Sequence, residues 1–237
     1  MSNKLIWILL ASISMVACEL ENPEVGVNVD EIITFSIEEG VTSLQANGQD
    51  RLTLTANLGK LADANQLIVF TTELGRFAEA SPSNPQVYQV VASGKTATAT
   101  LITGTEAADE VNLTAAVGDF VAASTIPFLR EFPQDMTIVA DKENIDADRI
   151  DFANIDVELF RDAGEGIPTD AARIEIEAIP QDTALASVVP FIFTNGTTAS
   201  FTIKSQNGKP GVVLLRLTTE AEAGNDPIER TLELSFE

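Results

Sequence analysis

Apolar and polar residues alternate along most of this chain. In Arg51-Leu-Thr-Leu-Thr-Ala-Asn-Leu58 the residues Leu52, Leu54, Ala56 and Leu58 fall on one face and the polar residues on the other. That is the period of a strand with one side buried. Arg173 to Ala178 repeats the pattern with Ile174 and Ile176 inward, and Thr231 to Glu237 does so with Leu232, Leu234 and Phe236. Similar runs predict strands over 32–37, 66–72, 96–102, 111–117, 155–160, 200–204 and 212–218. Turn signals separate them at Asn47-Gly48, Ser93-Gly94, Val117-Gly118, Asn195-Gly196 and Asn207-Gly208. No segment beyond the first 30 residues carries a stripe of period 3.6. The expected fold class is all-β.

Short strands at this density, split by turns, point to β-sandwiches. Roughly 200 residues exceed the commonest single-domain size, so two tandem sandwich domains are expected. The boundary is placed at Pro127-Phe-Leu-Arg-Glu-Phe-Pro133, giving domains over 31–128 and 129–237. An internal repeat supports the division. Gln45-Ala-Asn-Gly-Gln-Asp50 precedes the strand from Arg51, and Asp146-Ala-Asp-Arg-Ile-Asp151 precedes the strand from Phe152.

The first residues are of another kind. Lys4 is followed by a 13-residue apolar run, Leu5 to Ala17, and then by Cys18, the only cysteine. A positive start and a run of this length make an export signal, since a spanning helix needs roughly 20 residues. Small Ala17 directly before Cys18 resembles the bacterial lipobox. That resemblance implies a signal peptide over 1–17, removal of it, and a lipid-bearing Cys18 as the new N-terminus. The alternative is an ordinary secretory signal cleaved after Ala17, which would leave a free thiol. Residues 18–30 are acidic, include Pro23 and Gly26, and read as a flexible tether.

Charge and composition narrow the function. The chain has 14 basic and 36 acidic residues, a net charge of −22, and losing the leader removes only Lys4. Such a charge repels nucleic acid and anionic lipid headgroups, so nucleic acid is excluded as a partner. No histidine is present, which removes Ser-His-Asp and Cys-His catalysis and most zinc, copper and iron sites. A carboxylate pair could still hydrolyse glycosides, but with so many acids any two are no evidence of a site. The expectation is a non-enzyme without a cofactor. Trp7 leaves with the leader and Tyr88 is the only tyrosine, so a stacking platform for sugars is not expected. The phenylalanines read as core.

Several stretches then resemble one family. Ser43 to Ala56 is similar to the opening of a bacterial Ig-like domain of the invasin and intimin type. Val69-Phe-Thr-Thr-Glu-Leu-Gly75 resembles the family's central strand and turn, Ser93 to Leu101 its "G-x-A-x-x-x-L" strand, and Ala115-Ala-Val-Gly118 its penultimate strand. In the second half, Ile145 to Asp148, Ile155 to Phe160 and Arg161 to Pro168 resemble the same opening strands and the turn after them. The resemblance implies two-sheet sandwiches strung together in surface adhesins. With a lipid in place of a barrel and no lectin-like tip in sight, a spacer, scaffold or protein-interaction role is expected.

Remaining candidates are weaker. Asp141, Glu143, Asp146, Asp148 and Asp151 crowd one stretch and could hold calcium, although the spacing fits no EF-hand and a solvated acidic face is the plainer reading. Asn112-Leu-Thr114 and Asn195-Gly-Thr197 match the eukaryotic sequon by chance in a chain with a lipobox. Asp182-Thr-Ala184 resembles a short bacterial O-glycosylation motif, and Glu19 and Glu21 resemble acidic signals that send lipoproteins to the outer face. The expected place is the outer membrane, lipid-anchored and facing outward, with retention facing the periplasm as the alternative. The expected partner is a protein or surface polymer. A glycan-binding accessory of a polysaccharide-uptake system is the alternative function.

Overall fold

The structure, a computed structural model, describes residues 28–179 and 185–237. Cys18, the leader, most of the tether and the Asp182 motif lie outside the described residues.

The first half opens with one helical turn, α1 (Val29–Ile32), and continues through nine strands: β1 (Ile33–Ile37), β2 (Leu44–Gln45), β3 (Arg51–Leu58), β4 (Leu67–Thr72), β5 (Arg76–Phe77), β6 (Val87–Val91), β7 (Thr96–Ile102), β8 (Ala108–Val117) and β9 (Phe120–Leu129). The second half adds β10 (Asp135–Ala140), β11 (Asn144–Ile145), β12 (Phe152–Phe160), β13 (Arg173–Ile179), β14 (Ala186–Ser187), β15 (Phe191–Phe193), β16 (Thr198–Ser205), β17 (Gly211–Thr219) and β18 (Ile228–Phe236). The chain is all-β.

Each half is a sandwich of one four-stranded and one five-stranded sheet. Strand orders are β1-β3-β7-β5 against β2-β9-β8-β4-β6, then β10-β12-β16-β14 against β11-β18-β17-β13-β15. Adding nine to each strand number of the first half gives the second. The repeat seen in two loops therefore extends to the whole topology. The alternating runs land in strands with inward residues buried: β3 reads exposed-buried through Leu52, Leu54, Ala56 and Leu58, and β12 through Ala153, Ile155, Val157 and Leu159.

Two hydrophobic clusters form. Ile33, Leu52, Leu54, Ile68, Phe70, Leu101, Leu113 and Phe128 lie in the first, and Met136, Ile155, Ile174, Ile203, Leu215 and Phe236 in the second. Each such side chain contributes about 1.5–3 kcal/mol by leaving water. An aromatic group within the first cluster joins Phe35, Phe70, Phe77 and Tyr88, with Phe70 and Tyr88 stacked at 6.4 Å. The sole tyrosine is thus half-buried and packs against the core.

Three local features differ from the sequence reading. Asn28 accepts a hydrogen bond from the Asp30 N–H at 3.3 Å and caps α1, while Val29 packs on the first core. The end of the acidic leash is therefore folded in. Pro127 and Phe128 lie inside β9 and not in a connection. The β8–β9 register jumps between Ala108 and Val111, opposite Phe128 and Ile126. A bulge of that kind accommodates a residue with no N–H. Finally, Phe152, Phe160, Phe191 and Phe193 are exposed on the second sandwich and do not belong to its core.

Candidate interaction surfaces and the interdomain junction

The twin loops noticed in the sequence fold alike. In the first, the Asn47 side-chain oxygen accepts the N–H groups of Gln49 and Asp50, both at 2.9 Å, and its amide donates to Asp50 Oδ1. Asp50 Oδ2 in turn accepts the Gln45 N–H. In the second, Asp148 Oδ1 accepts the N–H groups of Ile150 and Asp151 at 2.7 and 2.8 Å, and Asp151 Oδ2 accepts that of Asp146. An Asx side chain here satisfies a turn that the sheet cannot.

That bonding explains the acidic stretch considered for calcium. Asp141 takes both donors of Asn154, and Asp151 pairs with Lys142. Hydrogen bonding from Asn154 holds the Asp141 carboxyl below its ordinary range, the Asp151 N–H does so for Asp148, and Lys142 for Asp151. Among the described residues no group of three or more acids converges to hold a metal ion. Of the sequons, Asn112 gives its amide to Glu73 at 3.0 Å, and Thr114 shares a hydroxyl contact with Thr71.

The first twin loop has a second task. The segment Arg161 to Asp170 from the second sandwich lies on it. Ile167 N–H donates to the Asn47 carbonyl at 3.1 Å, Thr169 Oγ1 donates to the Ala46 carbonyl, and Asp170 N–H donates to the Thr105 carbonyl. Gly166 has φ +83, and a Cβ there would stand 2.6 Å from the Asn47 carbonyl oxygen. Only glycine allows this approach. Beneath it, Arg161 pairs with Glu131 at 2.7 Å and donates to the Phe132 carbonyl, with both ionic side chains largely buried. Burial pushes the Glu131 carboxyl up, against the opposing pull of Arg161.

The outer faces of the two four-stranded sheets differ. On the first, Thr34 and Ser36 of β1, Thr55 and Asn57 of β3, and Thr96 and Thr98 of β7 are all hydroxyls or amides. On the second, the same register positions are Thr137, Val139, Asp156, Glu158, Thr198 and Ser200. A groove of about 590 Å³ opens there, with Val139 on one side and Phe193 of β15 on the other. Sequence reasoning missed it because three-residue β15 has no period, and the alternation of β12 says which side faces out but not what gathers there.

No protein-family model matches the chain, and no curated protein is similar to it in sequence. Solved structures do match. The Yersinia pseudotuberculosis adhesin InvE aligns over 90% of this chain and 62% of its own, with 17% identity and a TM-score of 0.55. Invasin, described as a bacterial integrin-binding protein, aligns over 86% of this chain and 39% of its own, with 19% identity and a TM-score of 0.57. The chain has the fold of an invasin-type Ig-like tandem. It spans less than two thirds of the length of either protein. The invasin-type fold accounts for the motif glycine of the central turn. Gly75 has φ +76, and a Cβ would meet the Ile102 carbonyl at 2.5 Å. The structures named InvE and invasin are described as an adhesin and a bacterial integrin-binding protein, and at this identity the likeness to them is one of fold.

Proposed function

We propose that this chain is a non-catalytic lipoprotein of the cell envelope, anchored by lipid on Cys18 after removal of residues 1–17. Its two Ig-like domains, divided close to residues 128 and 129, then hold a protein-binding surface away from the outer membrane on its outer face. The observation that carries this reading is the junction. Main-chain bonds from Ile167 and Asp170 and the Thr169 hydroxyl fasten one sandwich to the next, as a spacer requires. The adhesin company of the fold and the lipobox-like Ala17-Cys18 pair support it from different directions.

Intact cells expressing the tagged chain supply the test. Feeding an alkyne palmitate analogue should label the wild-type chain and leave Cys18→Ser dark, and protease added outside should remove the Ig-like domains. Cross-linking on the same cells should capture a discrete protein. An unlabelled wild-type chain would sink the anchor. A purified chain that hydrolyses a polysaccharide would sink the non-catalytic reading.

A further inference from the structure

We propose that the outer face of β10, β12 and β16, together with the free edge of β15, is the docking site for an extended protein segment that alternates basic with aliphatic side chains. This rests on the reading of the chain as a protein-interaction module.

The internal repeat provides a control. Ser36, Thr55 and Asn57 of the first sandwich correspond by register to Val139, Asp156 and Glu158 of the second. The same fold builds that face from neutral polar groups in one copy, so the scaffold does not require the apolar and acidic residues in the other. Val139 is 61% exposed and Phe193 is 56% exposed, on opposite sides of the groove. Exposure of that size on a strand face costs solubility without adding to the core. In the first sandwich Asn57 is tied to the Thr96 hydroxyl at 2.9 Å. Among the described residues, the carboxylates of its counterpart Glu158 and of Asp156 beside it have no hydrogen-bond or ion-pair partner.

The shape of the occupant follows from β15. Among the described residues it is the outermost strand of its sheet, and Ile192 lies opposite Ile174 of β13. The neighbouring bonds, Thr194 N–H to the Ala172 carbonyl and Ile176 N–H to the Pro190 carbonyl, show that even-numbered positions face β13. Alternation along an antiparallel ladder then directs the main-chain groups of Phe191 and Phe193 outward. An added strand would take those bonds, and its alternate side chains would fall into the groove. Edges are ordinarily blunted by lysine or a charged flank. Here the edge carries two phenylalanines, with rings 5.7 Å apart and Arg173 stacked on Phe191 at 4.8 Å.

The charge of the occupant follows from Asp156 and Glu158. Two unpaired carboxylates flanking an apolar patch favour lysine or arginine with an aliphatic residue between them. A second copy of this chain, at −22, is disfavoured on the same ground.

The probe is a fluorescent peptide, Lys-Val-Lys-Val-Lys-Val, titrated into the full-length lipidated protein in detergent, with Glu-Val-Glu-Val-Glu-Val as control. The lysine peptide should bind, the glutamate peptide should not, and raising salt from about 50 to about 500 mM should weaken binding several-fold. Val139→Ser with Glu158→Asn installs the residues of the first sandwich, which that fold already tolerates, and should weaken binding at least tenfold. Equal binding of both peptides, or affinity within twofold after the double exchange, overturns the proposal. If cells expressing the exchanged protein still yield the cross-linked partner, the groove is not its site and the interaction reading survives. If no partner is captured even by the wild-type chain, it is that broader reading which fails.

Discussion

Thr169 Oγ1 donates a hydrogen bond to the Ala46 carbonyl at 3.3 Å, 123 positions away in sequence. The same oxygen accepts the Glu131 N–H at 2.7 Å. One hydroxyl thus joins the first sandwich, the connection and the second sandwich. Thr169→Val keeps the shape and leaves both partners buried without a bond. The expected loss is about 1–3 kcal/mol. Thermal unfolding and amide exchange at Ile167 should both register it, and a variant as protected as wild type would contradict this account of the junction.

Gly166 tests the same contact by crowding. Gly166→Ala puts a methyl where the Asn47 carbonyl already stands, on a backbone with φ +83. The strain is worth about 1–3 kcal/mol, and the segment should lift before either core unfolds. Small-angle scattering should report a broader spread of interdomain distances. An unchanged profile would mean that the bonds seen here do not hold the sandwiches together.

The twin loops should respond unequally. Asn47 is only 8% exposed and satisfies two N–H groups, whereas Asp148 lies on the surface. Asn47→Ala should cost about 1–3 kcal/mol, because the bonds it makes are part-buried and water replaces them poorly. Asp148→Ala should cost clearly less, since water replaces the lost bonds. Comparing midpoints of urea unfolding decides it, and equal losses would show that burial is not what separates them.

Acid should act on the two loop regions in opposite senses. Asp141, Asp148 and Asp151 titrate below their ordinary value of 3.8, so their contribution is complete above that pH and is lost as pH falls through the lower folded-state values. Glu131 titrates above its ordinary 4.5, so the folded protein takes up that proton more readily and the junction gains stability as pH falls towards 4.5. Amide exchange should therefore show Ile167 better protected at about pH 5 than at neutrality, and Ile150 and Asp151 losing protection only below about pH 4. Parallel loss at both places on the same acid titration would overturn the assignment.

Separate cores predict separable damage. Phe70 is fully buried in the first cluster and touches nothing in the second. Phe70→Ala should cost about 3–5 kcal/mol in the first sandwich, with exchange in β12 and β16 almost unchanged.

Much of the fold was legible because one face of each long strand is buried. β3 and β7 coincide with their alternating runs, and β12 extends the predicted one by three residues at its start. β6 and β15 escaped notice because these edge strands bury no residue fully and carry apolar residues, Val91, Phe191 and Phe193, on their exposed faces, which erases the period. The junction was half legible. Arg161 to Pro168 stood out as a turn, but its partner Asn47 lies in a loop whose own bonding gave reason enough for its sequence. The groove was least legible. Val139, Asp156 and Phe193 come from three strands, and only the fold brings them together.

The short strands β2 and β11 have a mechanical consequence. Each lies parallel to the last strand of its own sandwich, Leu44 beside Phe128 and Gln45 beside Leu129, then Asn144 beside Ser235 and Ile145 beside Phe236. When a tethered chain is stretched from both ends, the early member of each pair is drawn backwards and the late member forwards. Parallel partners then slide against each other, so their hydrogen bonds must fail together and not one at a time. Each sandwich thus carries its tension across a two-residue shear clamp at the point where the chain leaves it.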